Sequence, residues 1–311
     1  MSTDNIAGLV VLTVLEVVSF AFAIIIYLQF SQQQSPLRRF QNRLLVYLLL
    51  QATWTIVFDL SNTIKYFWTN TVTIYMPWFC VIWNISFLSS AAFNRILAAF
   101  MCVERHFLIF SPQNYHSHRQ RIIYHYIPVI CLSSFLLIYM IITNVFITCS
   151  NLNFNYSNFM CGYTCAILIG SLGSIYTWIS IFIPTLIIVV ACILLPIRFL
   201  IQKRTLQQLN WHRARKLLVQ TSIIASIYIM FWLPYTIILQ LIFSNILTFS
   251  TPHINQALAI LPFMTSLLTP FIIYHQIRKP FNVNLIEQLR QMISFRQQVA
   301  VRPAPNSVAP T

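Results

Sequence analysis

Three charged residues lie inside long apolar stretches of this sequence, Glu16, Asp59 and Arg95, and a fourth group, Glu104-Arg105-His106, closes another such stretch. A charge at the centre of a membrane helix costs roughly 2.5–3.5 kcal/mol on insertion scales, so it implies a paired ion, a proton or ion path, or a site for a ligand group of opposite charge. Arg95 carries two readings of equal weight. It binds an anionic group of a small ligand, with Ala92, Ala91 and Leu88 on the same helical face leaving space, or it forms a structural ion pair with Asp59 or Glu16. Glu104 beside Arg105 is a carboxylate placed to neutralise an arginine at a helix end; the plainer alternative is an interfacial arginine reaching for water. Hydrolytic, phosphoryl-transfer and metal chemistry have no comparable support. There is no Gly-rich phosphate loop, Ser/His/Asp constellation or metal-spaced histidine cluster, and His116, His118 and His125 read as the solvated face of a basic loop. Neither an enzyme nor a cofactor is expected.

The elements that must position these groups follow from composition. Of 311 residues, 58% are hydrophobic and only 8% charged, with a mean hydropathy of +0.72, whereas a soluble chain carries about 25% charged residues. Too few charges exist to cover a water-facing surface. Windows of about 20 apolar residues, enough to cross a core about 30 Å thick, occur seven times. They run approximately over 6–30, 44–64, 77–110, 122–147, 169–201, 217–243 and 254–276. The expected fold is an all-α membrane protein, a seven-transmembrane helix bundle in one domain over 1–296. A short amphipathic helix over about 280–296, with Phe281, Leu285, Leu289 and Met292 at helical spacing, lies on the membrane surface. The proline-containing tail 297–311 is expected to be disordered.

The net charge of +14 is not a nucleic-acid signature, because 17 of the 19 basic residues fall in the loops and tail on one side of the seven spans. Lys65 alone lies on the other side, and Arg95 is inside span three. The positive-inside rule therefore places the N-terminus outside and the tail in the cytoplasm; the plasma membrane is the expected location. The first apolar segment has no basic n-region or small-residue cleavage pattern, so it is read as a retained helix.

Within that topology the chain resembles the rhodopsin-like G-protein-coupled receptors, and most of all the divergent orphan receptors of invertebrates such as rotifers. Glu104-Arg105-His106 is similar to their Asp/Glu-Arg-Tyr motif. Cys80 precedes Arg105 by 25 residues, about 37 Å of helix, and Pro112 follows it by seven. Phe231-Trp232-Leu233-Pro234-Tyr235 resembles Cys-Trp-x-Pro, whose proline removes a helical hydrogen bond and makes a kink. Pro184 matches a proline of span five. Thr269-Pro270-Phe271-Ile272-Ile273-Tyr274 resembles Asn-Pro-x-x-Tyr, with Thr269 in place of Asn and Tyr274 one residue late.

The resemblance implies a receptor that passes an extracellular ligand's signal to a heterotrimeric G protein by outward movement of span six. Its coupling and switch residues here are Glu104, Arg105, His106, Trp232, Pro234, Thr269, Pro270 and Tyr274, with Arg213, Arg215 and Lys216 as basic neighbours at the G-protein face or anchors to anionic lipid. It also implies a disulfide from Cys80 to the second external loop. Cys161 is the favoured partner, with Cys149 and Cys165 as alternatives or as a second bridge, since four cysteines allow three pairings. Asn155-Tyr156-Ser157 in that loop is a glycosylation sequon. Cys102, Cys131 and Cys192 read as small buried residues within spans.

The departures from the pattern are informative. Ala52 stands where an acid is expected and Thr269 where Asn is, so the family's internal sodium site is not expected. Cys192 replaces the span-five tyrosine and Ala214 offers no acidic lock for Arg105, which leaves resting restraint mainly to Glu104 and predicts raised basal signalling. The candidate ligand pocket comprises Phe87, Ala91, Arg95, Trp232 and Tyr235. Phe87 stands where amine receptors carry aspartate, and Phe263 where opsins carry a retinal-binding lysine, so the ligand, a small molecule or a peptide, is neither a monoamine nor retinal. A transporter is the main rival class, but its pseudo-repeated halves and Gly-interrupted helices are not seen.

Overall fold

The computed structural model describes residues 3–31, 36–110, 120, 122–146, 154–162, 170–201, 208–243 and 260–275, and among these all regular structure is helical. We number seven helices. Helix α1 is Thr3–Ser31. Helix α2 runs from Pro36 to Thr69 through a π turn at Thr55–Leu60, and α3 is Pro77–Phe110. Helix α4 is Ile127–Ile141 flanked by π turns at Ile122–Tyr126 and Ile142–Phe146. Helix α5 runs from Gly170 to Ile201 through a π turn at Trp178–Phe182, α6 is Gln208–Phe243 and α7 is Ile260–His275. Six of these are long and apolar enough to cross a membrane, with α7 shorter over its described length.

The protein is an all-α membrane bundle. Val17, Leu186 and Leu200 are each more than 60% exposed on α1 and α5. A soluble protein does not present such aliphatic surface along several helices, whereas a bilayer solvates it. Helix α3 sits at the centre, packed on α2, α4, α5 and α6, and 67% of its apolar window is buried. Its small residues Ala92, Ala98 and Ala99, all buried, let neighbouring backbones approach, which is how helices pack where no hydrophobic effect separates side chain from solvent.

Helix α3 covers 77–110, and α6 starts at Gln208 while its apolar window begins at Leu217. The π turns in α2 and α5 carry no signal in an apolar periodicity. The chain divides into two compact units, Met1–Ile272 and Ile273–Thr311. Of the second only 273–275, including Tyr274, is described, and it is helical. The expected amphipathic helix, the tail, Cys149, Cys165, His116, His118 and the side chains of Arg213 and Lys216 lie outside the described residues.

Candidate functional site

Three clusters along α3 gather most of the residues singled out in the sequence. The first is at mid-helix, where Arg95 is only 1% exposed. Pro184 in α5 has no N–H, so the carbonyls of the turn before it, which includes Ser180, have one helical donor fewer. Arg95 Nε supplies a replacement, donating to Ser180 O at 2.6 Å. Its guanidinium carbon lies 3.9 Å from the ring centroid of Trp232 on α6, two residues before Pro234. Trp232 in turn packs edge-on against Tyr235 with ring centroids 5.1 Å apart. Arg95 also reaches Tyr176, whose hydroxyl donates to Leu88 O at 3.1 Å. One cation therefore joins the proline breaks of α5 and α6.

The expected alternative of an ion pair between Arg95 and Asp59 or Glu16 is not formed. Asp59, fully buried in the π turn of α2, faces the Ser86 and Ser90 hydroxyls of α3, and Glu16 Oε1 accepts from the Ser61 hydroxyl at 2.5 Å. Glu16 is met by a hydroxyl, whereas neither carboxylate oxygen of Asp59 has a hydrogen-bond partner among the described residues. Ala91 is half-buried beside this cluster and Phe87 is buried one turn further along α3.

One residue before Arg95, Asn94 Nδ2 donates to the Ser266 hydroxyl of α7 at 2.9 Å, and Asn94 Oδ1 accepts from the Tyr228 hydroxyl of α6 at 3.3 Å. Tyr228 also reaches Thr269, whose own hydroxyl donates to Thr265 O at 2.6 Å. The Ser19 hydroxyl of α1 donates to Leu267 O. Thr269 and Pro270 are thereby packed into a neutral hydrogen-bonded layer joining α3, α6 and α7. Sequence reading missed Asn94 and Tyr228. Their spacing, Asn94 adjacent to Arg95 and Tyr228 one turn before Trp232, was the available signal.

The second cluster closes α3. Glu104 and Arg105 are both buried. Glu104 Oε1 meets His125 Nδ1 of α4 at 2.5 Å, with both side chains nearly inaccessible. This corrects the reading of His125 as part of a solvated loop face: the residue sits in a π turn that turns its ring into the bundle, 1% exposed. His106 is half-buried, contacts the Ala191 backbone of α5 and packs at a tilt on Phe110, ring centroids 5.9 Å apart. Arg198 of α5 lies over that same Phe110 ring at 4.5 Å. Helices α4 and α5 therefore both grip the end of α3.

The third cluster is at the opposite end of α3, where Cys80 and Cys161 form a disulfide with Cα atoms 5.8 Å apart. Asn155 is exposed in the same loop, its Oδ1 accepting the Ser157 N–H at 3.0 Å. Of the three cysteines expected to be buried within spans, Cys102 is, Cys192 is half-buried and Cys131 is exposed on α4.

No protein-family model matches this sequence, and no curated protein was found similar to it.

Proposed function

We propose that this chain is a rhodopsin-like G-protein-coupled receptor of the plasma membrane, with its N-terminus outside and its tail in the cytoplasm. An extracellular ligand shifts the population toward a state in which α6 swings outward about Pro234 and a heterotrimeric G protein binds at the Arg105 end. The observation that carries this reading is the position of Glu104-Arg105-His106 at the end of α3, the helix on which α2, α4, α5 and α6 pack. Movement there is felt by α4 through His125 and by α5 through Phe110. The Arg95 bridge supplies a mechanical link from the opposite end, since a ligand that displaces Trp232 alters the contact that ties α5 to α6. The charge asymmetry supports the orientation, and Asn155 is then an extracellular glycosylation site.

The test is guanine-nucleotide exchange on a panel of G proteins in membranes carrying the wild type or Arg105→Ala at equal surface level. Exchange that falls in the variant is expected. Equal exchange from both on every G protein counts against coupling and leaves transport as the reading to assay.

A further inference from the structure

Around the Cys80–Cys161 disulfide, residues 154–162 fold back onto the helix ends and insert one aromatic side chain. The Phe159 ring lies 5.6 Å from Tyr66, 6.0 Å from Phe67, 5.7 Å from Trp83 and 5.9 Å from Phe87, edge-on to three of them and stacked on Phe67. These are the separations and angles at which ring quadrupoles attract. The segment is fastened on both sides of the ring. Asn84 Nδ2 donates to Met160 O at 2.8 Å, the Tyr66 hydroxyl donates to Ser157 O at 2.9 Å and Val72 N donates to Tyr156 O at 3.0 Å. Met160 and Cys161 hold φ of 55° and 59°, a conformation that side-chain-bearing residues adopt only where surrounding contacts impose it. Met160 is completely buried, while Phe159 stays partly exposed and so reachable from outside the bundle.

We infer that Tyr66, Phe67, Trp83 and Phe87 form a binding site for a single uncharged aromatic ring, that Phe159 fills it in cis, and that an exogenous ligand enters by displacing Phe159. The chemical class follows from the occupant: the four walls already hold an uncharged phenyl ring by edge and face contacts, so a free ring of that size without formal charge matches them. Phe87 was expected to face the ligand, and Phe87 also touches Phe263 of α7 at 5.5 Å, so what occupies the site bears on α2, α3 and α7 together. The signalling consequence rests on the receptor reading above. The binding claim does not.

The test removes the resident ring and supplies a free one. Phe159→Ala leaves an apolar gap of phenyl size, and such gaps take up benzene-like molecules. The purified full-length chain, as wild type, Phe159→Ala and Phe146→Ala, is melted in detergent with and without toluene. Phe146 is 72% exposed on α4 and controls for toluene acting through the detergent. The expected result is a lowered midpoint for Phe159→Ala that toluene raises by roughly 2–4 °C, with no such rise in the other two. Should Phe159→Ala not survive purification, Phe159→Val with the same probe is expected to show the same rise. A midpoint unchanged by the substitution, or a toluene effect equal in all proteins, overturns the inference. No G protein enters this measurement, so its failure is separate from failure of the exchange assay.

Discussion

Arg95 lies over the face of Trp232 at 3.9 Å while its Nε holds the Ser180 carbonyl at 2.6 Å. The two partners stand four residues before Pro184 and two before Pro234. Each proline weakens its helix locally, and the arginine spans both weak points. Its partners are a carbonyl, a π face and a tyrosine, all neutral, so the charge is stabilised by dipoles and a quadrupole rather than by a counter-ion.

Arg95→Met should therefore fold. Leaving the Ser180 carbonyl without its donor costs about 1–3 kcal/mol, and removing a cation from the membrane interior relieves roughly 2.5–3.5 kcal/mol. The two nearly offset. Surface yield within about twofold of the wild type is expected, together with raised basal nucleotide exchange because α6 is no longer tied to α5. A collapse in surface yield would show that the charge is structural.

His125→Ala should be far more damaging than its place near a loop suggests. It strips the partner from a carboxylate that is 3% exposed, and breaking a buried pair costs on the order of 3–5 kcal/mol. A thermal midpoint lowered by several degrees, against little change for the exposed His275→Ala, is the expected contrast. Because Glu104 is also released, basal exchange per folded receptor should rise. An unchanged midpoint would mean that the 2.5 Å contact adds nothing to stability.

These two sites show what was and was not legible in the sequence. Helix number, the extent of α3 and the presence of Arg95 and Arg105 within it were readable, because an apolar window of about 20 residues and a charge inside it are local signals. Partners were not. His125 stands at the start of the expected span 122–147 beside the basic loop, and only the π turn over Ile122–Tyr126 sets which way its ring faces, which periodicity does not encode. For Arg95 a ligand anion and a carboxylate partner stood equally in the sequence, because buried charges usually pair, and neither reading named the Ser180 carbonyl or the Trp232 ring. Phe159 was one of 25 phenylalanines, and nothing in its local sequence distinguished a plug from an ordinary loop residue.

The Cys80–Cys161 bond closes a stretch of 81 residues and fixes the segment that carries Phe159. Cross-links over loops of that size contribute about 2–4 kcal/mol. Cys161→Ser is expected to lower the thermal midpoint, and Cys80→Ser and the double variant should lower it by the same amount, since all three remove one bond. Reductant should bring the wild type to the same value. Additive losses would show that Cys80 or Cys161 has a second covalent role.

The layer around Asn94 leads to an expectation about ions. Where a sodium site would require several oxygens converging with a carboxylate, Asn94 instead directs its amide nitrogen at the Ser266 hydroxyl, and Asp59 faces Ser86 and Ser90. Direct hydrogen bonds among Asn94, Ser266, Tyr228 and Thr269 take over the joining of α3, α6 and α7. Replacing sodium by choline at constant ionic strength should leave the melting temperature unchanged, whereas Asn94→Ala should lower it, the Ser266 and Tyr228 hydroxyls each losing a hydrogen bond that contributes about 0.5–1.5 kcal/mol. A midpoint that climbs with sodium in the wild type and not in Asn94→Ala would place a cation in this layer and overturn the hydrogen-bonded account of it.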